Sequence, residues 1–102
     1  MHKNDYDDVI VRTRDAGIFA GSLVLHPSAE ETGGRITNAR RLWYWDGAAT
    51  LSELATKGTS EPGSCKFPAA VEWIDVADII EILPVSDTAR LTIDAVVPWT
   101  RF

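Results

Sequence analysis

The chain has 102 residues, a single cysteine and a formal charge of −5, with 45% hydrophobic and 25% charged residues. This balance excludes a disordered or collagen-like chain and describes one globular domain. A domain of this size buries roughly 60–70% of its unfolded surface, which supports one core but not a large enzyme cavity as well.

Residues 1–8 form a polar lead-in. Asp8-Val9-Ile10-Val11-Arg12-Thr13-Arg14 is dense in β-branched side chains and predicts a strand. A short turn at Asp15-Ala16-Gly17 and a second strand from Ile18 to His26 make an antiparallel hairpin. Pro27 to Gly34 reads as a loop. Arg35 to Trp45 reads as a third strand, with Arg41, Trp43 and Trp45 on one face of its end and Leu42 and Tyr44 on the other. Asp46-Gly47 breaks it. Thr50-Leu51-Ser52-Glu53 fits a capping box, and Leu51, Leu54 and Ala55 form one apolar stripe, so residues 50–57 should be a helix closed by Gly58. Ala70 to Ile74 and Val76 to Val85 predict two more strands, and Ser86-Asp87 opens a second short helix through Ala89, Leu91 and Ile93. The expected fold is α+β: a small, mostly antiparallel sheet of about five strands with one or two short helices.

No apolar run reaches the roughly 18 residues that cross a bilayer. The polar start carries no signal-type stretch, so a cytoplasmic protein without membrane contact is expected. Cys65 alone makes neither an internal disulfide nor a cysteine-based metal cluster. His2 and His26 have no sequence partner that would position a general base, and Gly33-Gly34 lacks the lysine of a phosphate loop. Neither an enzyme nor a bound metal or cofactor is expected.

Charge is unevenly spread. Residues 61–102 hold seven acids against Lys66, Arg90 and Arg101, whereas residues 32–45 hold Arg35, Arg40 and Arg41 and no acid. An acidic chain is a poor binder of long nucleic acid, which demands many phosphate contacts. A small anion needs only two or three local arginines. The stretch Asn38 to Leu54 gathers Arg40, Arg41, Trp43, Tyr44 and Trp45. Tryptophan stacks on a base and arginine forks onto a phosphate. Gly47-Ala48-Ala49-Thr50 leads into a helix start, where free N–H groups favour an anion. Each feature has a plainer reading. Trp43 or Trp45 can be core, Thr50 and Glu53 can simply cap, and the arginines can pair with the acids of residues 72–81.

The segments Val9 to Gly21 and Asn38 to Ala55, with their Arg40-Arg41-Leu42-Trp43-Tyr44-Trp45-Asp46-Gly47-Ala48 core, resemble a family of small phage anti-defence proteins. That family was long carried as a domain of unknown function and includes a Thoeris anti-defence nucleotide sponge. The similarity weakens through Asp78 to Pro84 and ends near Trp99. It implies a non-catalytic role: binding a cyclic ADP-ribose isomer, and in some members cyclic oligonucleotides, so that the immune effector never meets the signal. It also implies a homo-oligomer, up to a hexamer. The side chains whose chemistry suits such a ligand are Arg12, Arg14, Arg40, Arg41, Trp43, Trp45, Ala49, Thr50, Trp99 and Arg101. Arg12 and Arg14 would add a second cationic row, and Trp99 with Arg101 would reach a ligand held at a subunit boundary, where large pockets form without emptying a small core. The competing reading is an inhibitor that blocks a defence enzyme through the acidic face from Glu72 to Glu81.

Overall fold

A computed structural model describes residues 5–26 and 32–101. Five strands, β1 (Asp5–Thr13), β2 (Ile18–Leu25), β3 (Gly34–Arg41), β4 (Val71–Val76) and β5 (Ile79–Pro84), are joined by helices α1 (Leu51–Lys57) and α2 (Asp87–Asp94). They form one antiparallel sheet in the order β4-β3-β2-β1-β5. The expected α+β class is therefore what the chain adopts.

The connection from β4 to β5 dictates the shape of the sheet. These strands lie at opposite edges, yet only Ala77 and Asp78 separate them. Across a flat five-stranded sheet the edges would stand about 19 Å apart, whereas two linking residues reach about 11 Å. The sheet therefore curls until its edges converge at that end. Asp78 takes a left-handed conformation (φ 52) in the link, and its carbonyl accepts the Arg14 N–H at 3.0 Å.

Curling gives the sheet two apolar faces. On the inner face Val9, Val11, Phe19, Leu23, Ile36, Ala39 and Val76 pack together. On the outer face Ile10 and Leu42 meet Leu54 and Ala55 of α1, Ile93 of α2, and Phe67 and Val96. This is why three successive residues of β1, Val9 to Val11, are all buried. A strand with one wet face would alternate.

The expected caps form. The Thr50 hydroxyl accepts the Glu53 N–H at 3.1 Å, and the Glu53 carboxylate accepts the Ala49 N–H at 2.8 Å, one residue earlier than in the usual reciprocal box. Ser86 caps α2 by accepting the Ala89 N–H, and its own hydroxyl donates to the Thr56 carbonyl at 2.6 Å, tying the two helices together. Thr50→Ala is expected to cost about 1 kcal/mol of unfolding free energy in urea melts.

Several boundaries differ from the sequence expectation. The lead-in is shorter, because Asp5 and Tyr6 already pair with β2 and β1 begins at Asp5. The third strand ends at Arg41 rather than Trp45. Beyond it the chain leaves the sheet and Tyr44 makes only a single bridge to Lys66. The common face expected for Arg41, Trp43 and Trp45 is lost with it. The segment from Val76 to Val85 breaks at Ala77-Asp78 to form the edge-to-edge link. Residues 1–4 of the lead-in, with His2, and residues 27–31 of the loop lie outside the described residues.

Candidate functional site

β2 carries a glycine, Gly21, where both neighbouring strands bulge. On one side β1 runs from Tyr6 (opposite Leu23) to Val9 (opposite Gly21), so it holds one residue more than β2 over that interval. On the other, β3 runs from Thr37 (opposite Ser22) to Arg40 (opposite Ala20) with the same excess. Each bulge contains a non-glycine residue in the left-handed region, Asp8 (φ 50) and Asn38 (φ 49). Such residues are uncommon and carry a backbone cost, least for Asn and Asp. A side chain at position 21 would meet the Thr37 carbonyl at 2.6 Å, so only glycine lets β3 bulge this close. Asp8→Gly and Asn38→Gly are each expected to leave stability within about 0.5 kcal/mol in thermal melts, since relief of left-handed strain is offset by the greater freedom of glycine in the unfolded chain.

Asp8, Gly21 and Asn38 all line one cleft of about 430 Å³, together with Ala20, Arg40, Ala69, Ala70, Arg90 and Asp94. Half-buried Ala20 and Gly21 and buried Ile93 give it a small apolar wall, while the Val9 side chain packs into the core on the other face of the sheet. The cleft rim is charged and exposed. Arg90 Nε stands 3.9 Å from Asp8 Oδ2, within ion-pair range but beyond a hydrogen bond.

Arg40 organises the cleft floor. Its Nε donates to the Pro68 carbonyl (3.0 Å), Nη1 to Ile93 (2.9 Å), and Nη2 to Phe67 (3.1 Å) and Val96. Four of its five N–H donors are thus held by main-chain oxygens, two of them, Ile93 and Val96, at and just beyond the end of α2. Burial lowers the Arg40 pKa from its ordinary value, and the Asp94 charge opposes that shift. The second Nη1 N–H is not among these carbonyl bonds.

The ten residues singled out in the sequence do not assemble into one site. Of them only Arg40 lines the cleft. Arg41, on the opposite face as strand alternation predicts, lies over the Phe19 ring at 4.5 Å and donates to the Ala16 carbonyl. Arg12 pairs with Glu81 at 2.8 Å, and Arg14 sits beyond the end of β1, so the two form no cationic row. Trp45 is half-buried against the helix-side core, whereas Trp43 is 65% exposed. Trp99 is 41% exposed, with Lys66 Nζ 5.7 Å from its ring centre and 5.8 Å from that of Tyr44. Arg101 is exposed. The helix start at residues 47–50 departs from the anion-site expectation. The Gly47 N–H is taken by the Asp46 carboxylate, the Ala49 N–H by Glu53 and the Glu53 N–H by Thr50, so side chains of the chain itself already fill the place of an anion.

Sequence reading missed Asp8, Asn38, Arg90 and Asp94. A signal existed for each pair. Asp and Asn inside strands are the side chains that tolerate a left-handed bulge, and Arg90 and Asp94 stand four apart, on one helix face. The acidic face from Glu72 to Glu81 is partly neutralised. Arg35 engages Asp75 through two bonds, at 2.7 and 3.0 Å, and Arg12 holds Glu81. The Arg35 bonds hold the Asp75 carboxyl below its ordinary pKa. That contribution is present above the ordinary carboxylate range and disappears as acid titrates through the depressed value.

Fold and site together define a small α+β protein whose curled sheet carries a cleft of mixed charge beside a double bulge. A family model described as a domain of unknown function (DUF6948) matches residues 6–93, and the chain belongs to that family. No curated protein and no solved structure matches it. No helix among the described residues is long and apolar enough to cross a membrane.

Proposed function

We propose that this protein is a phage anti-defence sponge that binds a small cyclic nucleotide signal of the cyclic ADP-ribose type in the host cytoplasm and holds it without cleaving it. The observation that carries the reading is the cleft. It has the volume of a nucleotide site, a smooth wall of alanine and glycine for a flat base, and guanidiniums at Arg40 and Arg90 for a phosphate. The likeness of residues 9–21 and 38–55 to phage anti-defence proteins points the same way. Neutralisation of Asp75 and Glu81 by arginine weighs against the alternative, a protein inhibitor acting through that acidic face.

The test is retention. Protein incubated with cyclic ADP-ribose and passed through a desalting column should carry the ligand through and release it chemically unchanged on heating, read by mass spectrometry. Arg90→Ala, at the rim, should weaken binding roughly tenfold, the scale of a lost charge-assisted hydrogen bond. A hydrolysed product would make the protein an enzyme, and failure to retain the ligand would end the sponge reading.

The sponge assembles, in the same proposal, from at least two copies. Leu91, Val97 and Trp99 lie exposed along α2 and the following segment, beside Pro98 of the cleft wall. Light scattering should return a mass at least twice the 11.2 kDa of one chain. A monomer that still retains ligand would leave the cleft of one chain as the whole site.

A further inference from the structure

Cleft charge narrows the ligand further, on the assumption that the nucleotide reading holds. Two guanidiniums, Arg40 and Arg90, face two carboxylates, Asp8 and Asp94. Arg40 commits four N–H groups to its carbonyl contacts. Arg90 is held only at 3.9 Å from Asp8, and both side chains are about half exposed. A bare polyanion would gain little here, because each carboxylate would oppose it. A carboxylate only accepts, so Asp8 and Asp94 need O–H or N–H donors from whatever enters. Their height in the cleft says which part of the ligand supplies them. Ile93 is buried, and Ala20 and Gly21 half-buried, along one small apolar wall on which a flat ring fits. Asp8, Arg90 and Asp94 are exposed at the mouth. With the base against that wall, the groups at the level of the exposed carboxylates are sugar hydroxyls, and the phosphate reaches Arg90.

We propose that Asp8 and Asp94 accept hydrogen bonds from ribose hydroxyls, so that the cleft takes a ribonucleotide and discriminates against its 2′-deoxy counterpart. The β1 bulge is part of the device, because Asp8 falls in the stretch of β1 that has no register partner on β2, lines the cleft, and holds its carboxylate 3.9 Å from Arg90 Nε.

Titration calorimetry with cyclic ADP-ribose and its 2′-deoxy analogue tests this on the wild-type chain, Asp8→Gly and Asp94→Ala. Glycine suits the left-handed backbone at position 8 and alanine suits the last turn of α2, so both variants should fold, which thermal melts verify. The wild-type protein should bind the deoxy analogue at least tenfold more weakly, and that ratio should fall towards one in at least one variant. Equal affinity of the two ligands for the wild type overturns the ribose assignment and leaves the nucleotide reading standing. A ratio that survives in both variants does the same. Binding of neither ligand overturns both.

Discussion

Arg40→Ala should unfold far more readily than the wild type, losing about 3–4 kcal/mol in urea melts. The guanidinium donates to the carbonyls of Phe67, Pro68, Ile93 and Val96, and thereby joins β3, the segment before β4, and the end of α2. Hydrogen bonds from a charged donor contribute about 1.5–3 kcal/mol each when removed singly, but the four share one side chain and water re-enters the half-buried site, so their sum is not reached. At this chain length each kcal/mol moves the melting temperature by about 4–8 °C, which places the expected drop well above 10 °C. Arg40→Lys should recover only part of the loss, because a single ammonium cannot reproduce the planar fork. If Arg40→Ala instead melts like the wild type and loses only ligand affinity, the arginine is a ligand contact rather than a structural tie.

Gly58→Ala carries the second large effect. Gly58 closes α1 with φ 80, donating its N–H to the Leu54 carbonyl at 3.0 Å. An added Cβ would collide with the Thr92 hydroxyl and stand 3.0 Å from the Ala89 Cα, so α2 would have to move away from α1. The backbone at Gly58 (φ 80, ψ −161) is essentially confined to glycine, so a side chain there costs about 1–3 kcal/mol, and overpacking of typically 1–3 kcal/mol brings the expected loss to at least about 3 kcal/mol. Thr92→Ala in the same chain should relieve only part of it. The strain and the Ala89 backbone remain, and the Thr92 hydroxyl that accepts the Thr59 N–H at 3.0 Å is lost as well. A double-mutant cycle measures that coupling. A Gly58→Ala protein as stable as the wild type would show that α2 yields freely.

Much of this architecture is local and was therefore legible. The Thr50 and Ser86 caps, the Gly58 stop and the β-branched run at 9–11 each depend on residues within one or two turns of each other and form where expected, and strands also form within 70–74 and 76–85, with their boundary shifted to Ala77-Asp78. Strand ends were less legible. Trp43-Tyr44-Trp45 has strand composition, but beyond Arg41 the chain keeps one bond to β2, from the Leu42 N–H to the Ile18 carbonyl, and Tyr44 then meets Lys66 in an isolated bridge. Composition describes what a strand tolerates, not which neighbour is there to receive it.

The sequence by itself determined the element types, the antiparallel α+β class and the opposite facing of Arg40 and Arg41, because side-chain period, caps and branching act over a few residues. Tertiary structure alone decided the curl, the double bulge around Gly21 and the split between arginines that tie the fold and arginines that face solvent. Arg40 makes the difference plain. In sequence it is one of two adjacent cations suited to a phosphate. In the fold, carbonyls 27 to 56 positions away converge on it. The Phe67 and Ile93 carbonyls also accept the Trp99 and Val96 N–H groups, and Arg40 gathers them with the Pro68 and Val96 carbonyls into one knot that no local pattern records.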